Sequence, residues 1–140
     1  MLEPNKFSPE KQLSELVRLE LGMELSLADD YSSYLVRLKD DAPTTSLDRM
    51  IFLSSEVLGE QIHFRRWQNG DRMRLRGLNG SKKISDLFTS YKLDQNAKNK
   101  ALVIELKGKV IAVWPYRVAE GYDKNEKGQL RLEIDLLKDI

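Results

Sequence analysis

Hydrophobic and polar residues alternate along much of the chain, which is the pattern of half-buried β-strands. The longest alternating stretch, from Val17 to Leu27, predicts a single strand with a bulge or bend at Gly22. Shorter stretches predict further strands at 34–39, 50–53, 61–67, 72–76, 102–106 and 130–136. Residues 110–114 are apolar throughout, which predicts a central strand buried on both faces.

Helical spacing interrupts this pattern in a few places. An apolar stripe at i, i+3, i+4 and i+7 predicts an amphipathic helix: Ile84, Leu87, Phe88 and Tyr91. Ser81 is the expected N-cap of that helix, a second short helix is predicted from Asp94, and an opening one after Ser8. Since helices and strands do not alternate as βαβ units, the fold class is α+β with largely antiparallel sheets and two or three short helices. Two packed layers are one arrangement compatible with this pattern.

Composition narrows the class of protein. A length of 140 residues predicts one domain, 1–140. The chain has no cysteine and one histidine, which excludes disulfides, thiolate metal sites, a cysteine nucleophile and a multi-histidine metal site. It has no apolar run of membrane-spanning length and no signal-peptide pattern, so we expect a cytoplasmic protein without a membrane partner.

The net charge of +1 hides a strongly basic middle third. Residues 1–64 carry 6 Lys/Arg and 12 Asp/Glu, a net of −6. Residues 65–100 carry 10 Lys/Arg and 3 Asp/Glu, a net of +7, and residues 101–140 carry 7 of each. Such clustering of cations is the usual electrostatic signature of a polyanionic partner.

The basic residues have a regular arrangement. Arg72, Arg74 and Arg76 are predicted to point to one face of a strand, about 6.5 Å apart. A flexible turn with Gly77 and Gly80 follows, and Lys82-Lys83 are predicted in the first turn of the next helix. Cations there oppose the helix dipole, and a bound anion would reverse that conflict. The alternative is that these are solvated charges on an edge strand.

Other candidates are weaker. The glycine spacing does not match a Walker A loop, and it resembles the loop of KH domains only loosely because a strand precedes it. Trp67 could stack on bases, whereas Phe64, Tyr91 and Trp114 follow core-like patterns. His63 lacks an evident nucleophile or orienting group, so we interpret it as a strand residue without a catalytic role.

The segment 65–92 resembles the C-terminal domain of tRNA(Ile)-lysidine synthetase. The resemblance rests on a basic pair, Gly-Asp, two further glycines, Lys-Lys, an Asp-x-x-Phe group or a close variant of it, and a later lysine. These positions are Arg65, Arg66, Gly70, Asp71, Gly77, Gly80, Lys82, Lys83, Asp86, Phe88 and Lys92. The best-matching core is 61–119, where Arg117 also matches but Pro115 replaces the usual glycine two residues earlier.

The resemblance implies a substrate-recognition domain that binds tRNA(Ile), in the region of the acceptor stem. The whole enzyme would be an ATP-dependent ligase that attaches lysine to the wobble cytidine, with ATP and Mg used by an N-terminal catalytic domain. That domain carries an SGGxDS loop, which this chain lacks, so we expect no catalytic residue, cofactor or metal site here. The implied tRNA-binding residues are Arg65, Arg66, Arg72, Arg74, Arg76, Gly77, Gly80, Lys82, Lys83 and Lys92.

Two alternatives stay open at this point. The basic face could dock the acidic face of another domain or subunit. The chain could instead bind a phosphorylated metabolite, with Lys82 and Lys83 as phosphate ligands. Salt-dependent binding distinguishes tRNA from a protein partner, because phosphate contacts give a steep salt dependence.

Overall fold

Strands dominate the structure, a computed structural model that describes residues 10–40, 49–123 and 128–139. The strands are β1 (Glu10–Gln12), β2 (Leu16–Arg18), β3 (Glu24–Ala28), β4 (Ser32–Lys39), β5 (Met50–Ser54), β6 (Gln61–Arg65), β7 (Arg72–Arg74), β8 (Ser81–Lys83), β9 (Leu102–Leu106), β10 (Lys109–Trp114), β11 (Arg117–Val118) and β12 (Gln129–Asp139). The helices are α1 (Ile84–Ser90) and α2 (Gln95–Lys100), with a 3-10 turn at Ser55–Val57. No described helix has the length and apolar character needed to cross a membrane.

The strands form two five-stranded sheets and one hairpin. The first sheet has the order β1-β3-β4-β12-β5, and the second has the order β11-β10-β9-β6-β2. The hairpin pairs β7 with β8. Within the described residues, every pairing is antiparallel except that of β1 with β3. The prediction of largely antiparallel sheets with few helices is therefore confirmed.

Both five-stranded sheets contribute side chains to one hydrophobic cluster. Tyr34 and Val36 of β4 enter it from the first sheet, and Phe64 and Ile104 enter it from β6 and β9 of the second. All four side chains are fully buried. The face of the second sheet that covers this shared core is the one that points away from the hairpin.

A second cluster joins the hairpin and α1 to the other face of the second sheet. Met73 from β7 and Phe88 from α1 pack there with Val103 of β9 and Val113 of β10. Strands β9 and β10 are therefore buried on both faces, as the apolar run at 110–114 predicts. This cluster positions the basic segment, because the residues between Arg72 and Ser90 form its outer side.

The long alternating stretch is not one strand, so that prediction was wrong. It divides into β2, which pairs with β6 in the second sheet, and β3, which pairs with β4 in the first. Gly22 lies in the turn between them with φ +80, a backbone region that favours glycine. Leu19, between the two strands, is also fully buried. The alternation of apolar and polar residues therefore continues through the segment where the chain passes from one sheet to the other.

The opening helix predicted after Ser8 is also wrong from Glu10 onward. Residues Glu10–Gln12 form β1 and pair with β3. Ser8 itself lies outside the described residues.

Candidate nucleic-acid interface

The β7–β8 hairpin presents basic side chains on one exposed face. Met73 is buried in the second cluster, whereas Arg72 and Arg74 on either side of it are exposed. Facing residues of an antiparallel pair share a face. Arg72 faces Lys83, and Arg74 faces Ser81. Three cations therefore lie on the face opposite Met73.

The two arginines of β7 differ in their contacts. Arg72 reaches across the hairpin, where its Nε donates to Ser81 Oγ at 2.7 Å and its Nη2 to the Ser81 carbonyl at 3.0 Å. These bonds hold its guanidinium over the hairpin without neutralising it. Arg74 makes no side-chain hydrogen bond or ion pair with any other described residue. Both charges remain available to an anion.

The lysine pair lies on a strand, so its predicted position in the first turn of a helix was wrong. Ser81–Lys83 form β8, and α1 begins only at Ile84. Pairing with β7 keeps this segment extended, which also removes Ser81 as the N-cap. Lys83 takes the N-cap position without a side-chain cap hydrogen bond. Because neighbouring strand residues point to opposite faces, half-buried Lys82 lies on the Met73 side and Lys83 on the exposed side.

The loop between the two strands has a conformation that requires its glycines. Gly77 and Gly80 have φ values of +87 and +101, where a side chain would strain the backbone. Arg76 belongs to this loop and not to β7, so the predicted even row of three strand arginines was wrong. Its Nε and Nη2 donate to the two carboxylate oxygens of Asp123 at 2.9 and 2.7 Å. These bonds hold the pKa of Asp123 below its ordinary value.

Arg65 is largely buried and has a structural role. Its Nη1 and Nη2 donate to the two Asp71 carboxylate oxygens at 3.0 Å each, and Nη2 also donates to Glu105 Oε2 at 3.1 Å. The side chain is 14% exposed, and those of Asp71 and Glu105 are 11% and 22% exposed. This network joins β6 to β9 and to the turn that precedes β7.

Arg66, the next residue along the chain, is paired in a similar way with the β3–β4 turn, β4 and α2. Its Nε and Nη2 donate to the Asp29 carboxylate at 3.0 and 3.2 Å. Its Nη1 donates to the Tyr34 hydroxyl at 2.8 Å and to the carbonyl of Asn99. Burial alone would raise the pKa of Asp29, but bonds from Arg66 and from two backbone amides hold it below its ordinary value.

Two further cations belong to the surroundings of the hairpin. Lys92 follows α1 with φ +57, is exposed, and has no ion-pair partner among the residues described. Lys109, together with Arg72 and Arg74, lines a groove of about 420 Å³ between the hairpin and the β9–β10 turn. Sequence reasoning missed Lys109, and its position directly after the Lys107-Gly108 turn was the available signal.

Three of the four aromatic residues singled out in the sequence are packed in the fold, namely Trp67, Phe64 and Trp114. Trp67 packs edge-on against Phe88, with ring centroids 5.2 Å apart. Tyr91 is 40% exposed and lies beyond the end of α1, so its predicted place in the core stripe was wrong. Phe64 and Trp114 are buried as expected. His63 Nδ1 lies 3.4 Å from Glu105 Oε1.

The predicted site residues thus fall into two groups. Arg65, Arg66 and Arg76 are paired with carboxylates from other parts of the fold. The second group has no carboxylate at ion-pair distance among the described residues: Arg72, Arg74, Lys82, Lys83 and Lys92. A surface with several uncompensated cations and a glycine loop can bind an extended polyanion.

Comparison with known proteins identifies the family of this chain. The family model of the TilS substrate C-terminal domain matches residues 62–134. The bifunctional protein TilS/HprT of Listeria monocytogenes serotype 4b (strain F2365) is 32% identical over 108 residues, which cover 76% of this chain and 16% of that protein. The tRNA(Ile)-lysidine synthase of Clostridium tetani (strain Massachusetts / E88) is 29% identical over 86 residues, covering 60% of this chain and 18% of that protein. The chain therefore spans less than a fifth of the length of these curated relatives.

A solved structure has the same fold. The crystal structure of a TilS C-terminal domain matches 90% of this chain and 99% of its own, with a TM-score of 0.63 and 17% sequence identity. At that identity the likeness concerns the fold alone. Because the family model covers more than half of the chain, this protein belongs to the family of TilS substrate C-terminal domains.

Proposed function

We propose that this domain binds the tRNA substrate of a tRNA(Ile)-lysidine synthase through its β7–β8 hairpin. The observation that carries the proposal is the uncompensated cationic face formed by Arg72, Arg74 and Lys83. Membership of the TilS substrate C-terminal domain family supports a tRNA as the polyanion.

The geometry of the hairpin suits recognition of an RNA backbone. Helical RNA is recognised mainly by its shape and through phosphate and 2′-OH contacts. Arg72 and Arg74 are alternate strand residues, so their Cα atoms lie about 6.6 Å apart. Two cations at this separation can contact neighbouring phosphates. The open space above Gly77 and Gly80 allows RNA to approach the loop backbone closely.

The predicted tRNA-binding residues then divide by role. Arg72, Arg74 and Lys83 contact phosphates on the exposed face, whereas Lys82 on the Met73 side and Lys92 after α1 add positive charge around it. Gly77 and Gly80 shape the loop that lies against the RNA. The paired residues Arg65, Arg66 and Arg76 hold the hairpin in place instead of binding RNA.

The rest of the enzyme supplies the chemistry in this proposal. An N-terminal catalytic domain uses ATP and Mg to activate the wobble cytidine of tRNA(Ile) and to attach lysine there. The domain described here holds the same tRNA near its acceptor stem and works in the cytoplasm. It contributes affinity and orientation but no reacting group.

Salt-dependent binding of a tRNA(Ile) transcript tests the proposal. Each phosphate contact adds about 0.7 to 0.9 to the slope of log affinity against log salt. We expect the Arg74→Glu, Lys83→Glu double variant to bind much more weakly than the wild type and to have a slope smaller by about 2. A matched control is Lys39→Glu with Lys138→Glu, which makes the same charge change on exposed residues of β4 and β12.

The comparison of the two double variants decides the outcome. Loss of affinity in the hairpin variant alone supports the hairpin as the tRNA surface. An equal loss of tRNA affinity in both variants would mean that net charge alone causes the effect, and it would overturn the assignment of the hairpin as the tRNA surface. Wild-type tRNA affinity in the hairpin variant would favour the protein-docking or phosphometabolite alternatives.

A further inference from the structure

A second concave site lies where α2 approaches the β3–β4 turn. The cavity has a volume of about 370 Å³, within the usual range for a small ligand. Its lining includes two aromatic residues, two amides and two cations: Tyr31, Trp67, Asn96, Asn99, Arg66 and Lys98. Two carboxylates also line it, and both are already paired with cations: Asp29 with Arg66, and Asp139 with Lys100. Nothing in the proposed backbone contacts of the hairpin uses this cavity.

The aromatic residues of the cavity are suited to stacking. Tyr31 is 66% exposed, which is unusual for a large aromatic side chain, and its backbone amide donates to Asp29 Oδ1 at 2.9 Å. That bond fixes the turn that carries the ring. Trp67 is half-buried and is supported from behind by Phe88, with ring centroids 5.2 Å apart. A flat ring entering the cavity would thus meet a firmly held aromatic wall and an exposed one.

The polar residues offer hydrogen bonds that the fold does not use. The side chain of Asn96 makes no hydrogen bond with another described residue, so its donors and its acceptor are free. Asn99 Oδ1 accepts a bond from Gln95 Nε2 at 2.8 Å, which leaves the amide nitrogen of Asn99 as a donor. Lys98 has no ion-pair partner among the described residues, whereas Arg66 is already paired with Asp29.

We propose that this cavity receives an unpaired nucleotide from the single-stranded end of the tRNA acceptor stem, an inference that rests on the proposed function. The base stacks on Tyr31 and lies against Trp67. Asn96 and Asn99 hydrogen-bond the edge of the base, and Lys98 pairs with its phosphate. This combination of aromatic faces and a cation is how proteins bind single-stranded nucleic acid.

The chain connects this cavity to the cationic hairpin. Arg66 lines the cavity and Arg72 begins β7, so six residue steps separate them. A fully extended chain of that length spans at most about 20 Å. An RNA strand bound along the hairpin therefore passes close enough to the cavity for a few unpaired nucleotides to reach it.

Two RNA ligands and three variants test the proposal. The ligands are a tRNA(Ile) transcript and the same transcript trimmed to a blunt acceptor stem. We expect Tyr31→Ala to weaken binding of the intact transcript about tenfold or more, the usual effect of removing one stacking residue, and to leave binding of the trimmed one unchanged. Tyr31→Phe keeps the ring and should bind the intact transcript like the wild type. Since the Tyr31 side chain is exposed, none of these changes should lower the melting temperature.

The third variant separates failure of this proposal from failure of the proposed function. It is the hairpin double variant Arg74→Glu with Lys83→Glu, which should weaken binding of both RNAs. If it does so while Tyr31→Ala binds the intact transcript normally, the cavity proposal is overturned and the hairpin assignment stands. If Tyr31→Ala weakens both RNAs equally, the cavity is not reading the unpaired end. If the wild type binds neither RNA, both proposals fail.

Discussion

Removing the guanidinium of Arg65 should destabilise the domain strongly, although the family resemblance places Arg65 among the predicted tRNA-binding residues. The proposed change is Arg65→Met, which keeps a long apolar stem and removes the charge. It leaves the carboxylates of Asp71 and Glu105 largely buried without their shared partner, at 11% and 22% side-chain exposure. Both carboxylates are held at 3.0 to 3.1 Å from that guanidinium in the wild type.

The expected magnitude follows from this burial. Breaking a buried ion pair by removing one partner costs about 3 to 5 kcal/mol. Single domains have a free energy of unfolding of about 5 to 15 kcal/mol, so the loss is a large part of the total. We expect the melting temperature to fall by roughly 10 °C or more.

Chemical denaturation at neutral pH measures this effect directly. The matched control is Arg74→Met, the same change at an exposed arginine without a described partner, for which we expect a change within about 0.5 kcal/mol. Asp71→Asn and the double variant with Arg65→Met complete a cycle that gives the coupling between the two residues. At a temperature where Arg65→Met is still folded, its tRNA affinity should be close to that of the wild type.

The opposite pattern would refute the reasoning. If Arg65→Met is as stable as Arg74→Met but binds tRNA less tightly, then the Arg65 guanidinium contacts RNA and its pairing with Asp71 and Glu105 is unimportant for the fold. An Arg65–Asp71 coupling energy near zero would lead to the same conclusion.

Three further predictions concern the supports of the hairpin. The bonds from Arg76 lower the pKa of Asp123 in the folded protein, so their contribution is complete above the ordinary value of 3.8 and is lost as the pH falls through the lower folded value. The stability difference between the wild type and Asp123→Asn should therefore be constant at neutral pH and vanish under strong acid in a pH series of denaturation curves; a pH-independent difference would contradict the pairing. Gly80→Ala should cost about 1 kcal/mol or more in thermal denaturation, because φ is +101 while the space around it is open; unchanged stability would mean that the loop relaxes. Phe88→Ala should cost about 3 to 5 kcal/mol and move the emission of Trp67 toward that of a solvated indole, and an unshifted spectrum would argue against their packing.

Much of the fold follows from local patterns, and the errors occur where distant pairing overrides them. Strands β9 and β10 and the start of α2 next to Asp94 agree with expectation, because each depends on neighbouring residues. The stretch from Val17 to Leu27 has the alternation of one strand, but its two halves pair with different sheets. Nothing within that stretch contains information about its partners.

The predicted position of the lysine pair in the candidate site was wrong for the same kind of reason. Ser81 is a good N-cap residue, and the apolar stripe that begins at Ile84 continues the helical pattern. Cross-strand pairing with Arg72–Arg74 keeps Ser81–Lys83 extended, and the helix begins two residues later than expected. Local propensity therefore predicts the wrong start for α1, because the strand that pairs with Ser81–Lys83 belongs to a different segment of the chain.

The positive charge predicted for the basic middle third is partly neutralised by carboxylates that the fold brings to it from other segments. The segment 65–100 has a net charge of +7, but four carboxylates from outside it pair with its cations. These are Asp29, Glu105, Asp123 and Asp139. Subtracting these four from +7 leaves a local excess of +3.

The position of this smaller excess of positive charge indicates the binding surface better than the total charge of the segment does. Charges separated by more than about 8 Å in physiological salt hardly interact, so a partner senses the local arrangement and not the segment total. The pairs at Arg65 and Arg66 hold the segment that leads into the hairpin and the pair at Arg76 holds its loop, while Arg72, Arg74 and Lys83 share its exposed face. The same basic run therefore performs two functions: its paired members fix the shape of the hairpin, and its unpaired members give that shape a charge to present to RNA.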